Sequence, residues 1–224
     1  MYETEGILTA ETIKDNRVIP SVIKNTSHGE RSFDIYSRLL DDRIVTYFEQ
    51  VDSDTTEAAI AKLLHLDALD SKKPIHLYIN SPGGEVISGL ALYDTIRTIN
   101  APVYGYVLGM AASMGSILIS GCDKRFISPN GKIMIHQPSG GARGRSCDIE
   151  VEAQEIIKTR DILITILAEN CNKDFDTVKS DMANTDMWLT AGESIKYGIV
   201  DEIIKPTKGY TRATTSKLET MILS

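Results

Sequence analysis

The chain is short of most of what marks a metalloprotein, a cofactor enzyme or a secreted scaffold. Cysteine occurs only as Cys122, Cys147 and Cys171, about 25 residues apart and without CxxC or Cys/His spacing, so neither a disulfide framework nor a zinc site is indicated. Their odd number fits a reducing, cytoplasmic setting; no metal or other cofactor is expected. Basic residues are in deficit: 24 Lys plus Arg stand against 31 Asp plus Glu, a net charge of −7, which disfavours a grip on phosphate backbones or anionic membrane surfaces. Nucleic acid and membrane are therefore not expected partners. No run of ~18 apolar residues occurs, and the opening MYETEGILTAETIKDNR lacks the apolar centre of a signal peptide. Repeats and low-complexity tracts are missing as well.

What is present suffices for a core: 224 residues, 42% of them hydrophobic. The expected organisation is a polar leader or propeptide over 1–17, one folded body over 18–206 and a flexible tail over 207–224. After an extended RVIPSVI, Asp54 and Glu57 read as a capping-box-like helix start, with Ile60, Leu63, Leu64 and Leu69 at helical spacing. Ile75, Leu77 and Ile79 then alternate as in a strand, and the turn SPGG leads into a helix carrying Val86, Leu90, Tyr93 and Ile96. The same grammar recurs as VYGYVL followed by GMAASMGSILISG, read as a buried helix ending at Gly121. RFIS and KIMIH flank Pro129-Asn130-Gly131 and are expected to form a hairpin. Beyond QPSGGARGRS an amphipathic helix runs from Asp148 to about Asn170, longer than the core needs. Thr190 and Glu193 cap a short helix stopped at Gly198, and IVDEII supplies a last strand. Alternating strands and helices imply an α/β fold.

Two backbone features carry chemical potential, SPGGE (Ser81 to Glu85) and AASMG (Ala111 to Gly115), each where a strand hands over to a helix. Glycine turns and helix starts leave amides free to face a developing oxyanion. The bland alternative is that these glycines only make tight turns. Ser113 stands among small residues that leave its hydroxyl reachable, although it is not in a G-x-S-x-G elbow and serines in such places commonly cap or pack. His136, straight after the apolar KIMI and just before Pro138, sits at a strand end, where a scaffold presents reactive groups; it is better placed than His28, His65 or His76. An imidazole there can shuttle a hydroxyl proton, or simply end the strand with a polar group. Among 31 carboxylates spacing alone selects none; Asp186, before Met187-Trp188-Leu189, is attractive as a partner that orients the ring.

The stretches GERSFDIYSRLLDDRIV, LYINSPGG, GMAASMGS, PNGKIMIHQPSGGARG and YGIVDEII resemble, in order, the proteolytic subunits of the ATP-dependent Clp protease family, from about Val18 to Ile204. The resemblance implies the ClpP/crotonase fold, an α/β architecture of repeated ββα units with a protruding long handle helix. It implies a serine endopeptidase with Ser113 as nucleophile, His136 as general base and Asp186 as third member of the triad, and with the amides of Gly84 and Met114 as the oxyanion hole. Unfolded protein substrates would lie as an added strand between Gly84, Glu85, Val86 and Ile87 on one side and Pro138, Ser139, Gly140 and Gly141 on the other. The implied assembly is a homo-oligomer of stacked heptameric rings fed by an AAA+ unfoldase of the ClpX, ClpA or ClpC type.

Several positions depart from the family pattern. Asp181 and Asp186 are one residue further apart than usual, and Asn184-Thr185 stands where many members carry an arginine before the aspartate. His76 and Thr98 replace aromatics around Tyr78 at the unfoldase-docking pocket. The rival readings are an acyl-CoA enzyme of the crotonase superfamily, which has no need of Ser113 and His136 together, and a non-catalytic ring subunit.

Overall fold

The computed structural model describes residues 8–14, 17–26, 29–183 and 185–205. The chain opens with β1 (Leu8–Lys14), β2 (Arg17–Thr26) and β3 (Gly29–Asp34), an antiparallel sheet in which β2 is central. The first strand thus falls within the segment expected to be a leader. There follow α1 (Ile35–Asp41), β4 (Ile44–Tyr47), α2 (Ser53–Leu69), β5 (Ile75–Ser81), α3 (Val86–Thr98), β6 (Val103–Ala112) and α4 (Met114–Ser120). The second half comprises β7 (Lys124–Ile127), β8 (Lys132–Ile135), α5 (Ser146–Cys171), α6 (Phe175–Asp181), β9 (Met187–Thr190), α7 (Ala191–Tyr197) and β10 (Glu202–Ile203).

The main sheet runs β10-β7-β6-β5-β4, all neighbours parallel. Strand-then-helix units recur as β4–α2, β5–α3 and β6–α4, the α/β plan expected from the alternation of periods. In β5 the apolar residues Ile75, Leu77 and Ile79 are fully buried while His76 and Tyr78 are half-buried on the other face. Each buried aliphatic side chain is worth about 1.5–3 kcal/mol against exposure, so a register slip by one residue, which exchanges the faces, is strongly disfavoured. The second face carries a row of aromatics: Tyr78, Tyr106 and Phe126 stack at 4.7 and 4.9 Å, and His76 Nδ1 lies 3.0 Å from the Tyr106 hydroxyl.

Three expectations need correction. The cap of α2 is Asp52 with Thr55, not Asp54 with Glu57, because the Asp52 carboxylate takes the Thr55 amide at 2.8 Å. GMAA belongs to β6 rather than to a helix; Gly109 bends the strand at φ 85°, and only Met114–Ser120 is helical. RFIS and KIMIH form no hairpin. Both lie parallel to β6, β7 along its first half and β8 along its second, so they follow one another down the same strand.

The 26-residue α5 is the protruding handle. Residues 146–155 are exposed on every side, while Leu163, Ile164, Leu167, Ala168 and Cys171 bury its far end in the core. Among the described residues no helix is long and apolar enough to cross a membrane.

Candidate active site

The site is built on β8 by strand register. β8 pairs parallel to the far end of β6, with Met134 beside Ala112, and antiparallel to β9, with Ile135 beside Met187. One residue beyond these pairs stand Ser113, His136 and Asp186, so two ladders converge on a single point. Ser113 Oγ lies 2.9 Å from His136 Nε2, and His136 Nδ1 lies 3.3 Å from an Asp186 carboxylate oxygen. With the hydroxyl donating to Nε2, the ring proton sits on Nδ1 and faces the carboxylate. Asp181 is engaged elsewhere: its carboxylate accepts the Tyr197 hydroxyl at 2.9 Å. Burial, then that carboxylate, pushes the Tyr197 phenol up.

Ser113 occupies a strained turn, φ 54° and ψ −121°, a conformation that costs of order 1–3 kcal/mol for a residue with a Cβ. Its amide donates to the Met134 carbonyl at 2.9 Å, and its own carbonyl accepts the Ser116 amide at 2.9 Å and hydroxyl at 2.6 Å. Those bonds hold the elbow without both flanking glycines of a G-x-S-x-G motif.

The glycines of SPGGE are required by contact as well as by conformation. A Cβ on Gly83 would stand 2.6 Å from Ser113 Cβ and 2.9 Å from the Met114 amide nitrogen; one on Gly84, at φ 153°, would stand 2.1 Å from the Val51 carbonyl oxygen. Glu85 donates its amide to that same carbonyl at 2.7 Å, and Val51 donates to Gly83 at 2.9 Å. Ser81, fully buried, steadies the turn by accepting the Gly83 amide at 3.2 Å. Among the described residues the amides of Gly84 and Met114 donate to no protein acceptor. Extended backbone on this edge stops at Glu85, since α3 begins at Val86; Ile87 is helical and exposed, which shortens the substrate edge expected over 84–87. On the other side Pro138 is half-buried and Ser139, Gly140 and Gly141 are exposed, without regular structure.

A narrow apolar cleft of about 20 Å3 opens beside the serine and the histidine, lined by Val86, Ile117, Pro138, Leu163, Leu167 and Met182. Leu163 and Leu167 come from the far end of α5 and Met182 from the cap of α6. A larger cavity of about 380 Å3 near Arg97, Tyr104 and Lys124 lies toward the opposite end of β6 and holds none of these groups. The three cysteines are free; burial pushes the Cys122 thiol to about 12 and Cys171 to about 11, so neither competes as a nucleophile near neutrality. No cluster of metal-ligating side chains occurs among the described residues.

A hydroxyl, an imidazole and a carboxylate in line beside two undonated amides form the constellation of a serine hydrolase. The Clp protease family model matches residues 27–207. The chain is 49% identical over 193 residues to the ATP-dependent Clp protease proteolytic subunit of Ligilactobacillus salivarius (strain UCC118), covering 85% of this chain and 98% of that one. The chain belongs to the Clp protease family.

Proposed function

We propose that this chain is the proteolytic subunit of an ATP-dependent Clp protease, a serine endopeptidase that hydrolyses unfolded polypeptides within a chamber of stacked rings. The 2.9 Å approach of Ser113 Oγ to His136 Nε2 carries the reading. Ser113 attacks the scissile carbonyl while His136 takes its proton. The same imidazolium then gives that proton to the leaving amine, and the acyl group stays on Ser113. Asp186 keeps the ring in the productive tautomer and stabilises its charge. The amides of Gly84 and Met114 receive the oxyanion, and a water activated by His136 frees the acid in the second half-reaction. Acyl transfer by these groups calls on no metal and no nucleotide. The apolar cleft favours a hydrophobic side chain at the scissile residue. The extended Gly84–Glu85 edge and the loop from Pro138 to Gly141 would flank the substrate strand.

Membership of the family supports a set of partners. Homo-oligomeric heptameric rings stack through α5, whose Ile149, Val151, Ile157 and Ile162 are exposed as single chains. An AAA+ unfoldase docks on the aromatic row of Tyr78, Tyr106 and Phe126. The free cysteines suit a reducing cytoplasm. A fluorophosphonate probe tests the core of the proposal: it labels Ser113 in the wild type, and Ser113→Ala abolishes both labelling and peptide hydrolysis. Absence of labelling in the folded wild-type assembly sinks the reading.

A further inference from the structure

Glu85 stands at the rim of the site with its charge unspent. It immediately follows Gly84, and its backbone is pinned on both sides, the amide to Val51 at 2.7 Å and the carbonyl to the Gly89 amide at 3.0 Å. Although it occupies the cap position of α3, its side chain makes no cap hydrogen bond; among the described residues the carboxylate accepts only the Ser88 hydroxyl, at 2.5 Å. Among the described residues no cationic side chain pairs with it. The next residue, Val86, turns into the apolar cleft beside Ser113, whereas Glu85 is exposed.

Successive side chains of an extended peptide point to opposite faces. With the scissile residue's side chain in the cleft against Val86, the side chain before it faces the rim where Glu85 stands. We propose that Glu85 is a specificity-determining residue that selects lysine or arginine at the position preceding the scissile residue. This rests on the reading of Ser113 as the nucleophile. An exposed carboxylate that meets a hydroxyl but no cation among the described residues gains by meeting a substrate cation, but solvent limits the gain to about threefold in rate, and salt screens it.

The test is kcat/KM on fluorogenic peptides that share one apolar scissile residue and carry lysine, glutamine or glutamate before it. Wild type, Glu85→Gln and Glu85→Lys are compared, each titrated with the fluorophosphonate. The wild type should favour lysine over glutamine by about threefold and disfavour glutamate by a similar factor. Glu85→Gln should flatten the series, Glu85→Lys invert it, and about 0.5 M salt compress it. A wild type indifferent to that position, or a preference carried unchanged into Glu85→Gln, overturns the proposal while labelled Ser113 leaves the peptidase reading intact. An unlabelled wild type overturns both.

Discussion

Asp186 and Asp181 show what one residue's neighbours decide. Spacing along the chain left the third triad position between them ambiguous, because the segment is one residue longer than the family pattern. Register favours Asp186 in the proposed triad: the pairing of Ile135 with Met187 sets Asp186 across from His136, and Asp181 is spent on Tyr197. Asp186→Asn should therefore cut kcat by about a hundredfold to ten-thousandfold, since an amide can hold the ring in the wrong tautomer. Asp181→Asn should leave kcat within about twofold and cost about 1 kcal/mol of stability, as a neutral carbonyl still accepts from Tyr197. The check is steady-state kinetics with thermal melts on both variants; normal turnover in Asp186→Asn beside a dead Asp181→Asn reverses the assignment. Ser113 and His136 drew attention in the sequence because the proposed chemistry needs those side chains, and the fold brings them 2.9 Å apart. The strain at Ser113 was not, since it is set by Met134 and Ser116 rather than by flanking glycines.

At the scale of elements, local signals read well and pairings read poorly. The capping box of α7 is present as expected, with Thr190 and Glu193 bonded reciprocally, and Gly198 ends the helix at φ 90°. These are contacts within one turn, which sequence spacing fixes. The supposed hairpin failed because pairing is non-local: a bend at Gly109 lets β6 outrun β7 and offer its second half to β8. Equally invisible was Arg43, whose guanidinium donates to the carbonyls of Leu66, Asp70, Lys73 and Pro74 and so ties the end of α2 to β5. The amino-terminal strands pose the sharpest question. β1 pairs with β2 from Leu8 beside Val22 to Lys14 beside Arg17, yet the family match begins only at residue 27. RVIPSVI resembles the mature start of family members that remove their own propeptide, so cleavage near Arg17 is expected, parting β1 from β2. Intact mass of the wild type should then fall short of that of Ser113→Ala. Equal, full-length masses would make β1 a permanent axial extension.

For the whole molecule the question is how the two rings of the proposed assembly would stay together. The family pattern places an arginine just before the aspartate, where a charge-assisted pair would join the proposed rings. Here the position belongs to Thr185, which is exposed and cannot form a bidentate bridge. In the proposed assembly the joining would then fall to α5, about 39 Å of helix at 1.5 Å per residue. Its exposed first half offers Ile149 and Val151, with Ile157 and Ile162 beyond. The same half carries Asp148, Glu150, Glu152 and Glu155, of which Asp148 pairs with Arg145 and Glu155 with Lys158 inside the chain. In the proposed assembly facing copies would therefore meet through apolar contact opposed by residual like charge. Salt weakens the repulsion and leaves the apolar term intact or strengthened. The double ring should thus be weaker than in relatives with the arginine, separating on dilution, yet hold or tighten as salt rises. Sedimentation velocity over a series of protein and salt concentrations decides it: a double ring that survives at nanomolar protein, or one that comes apart only when salt is added, means that an ion pair outside α5 joins the halves.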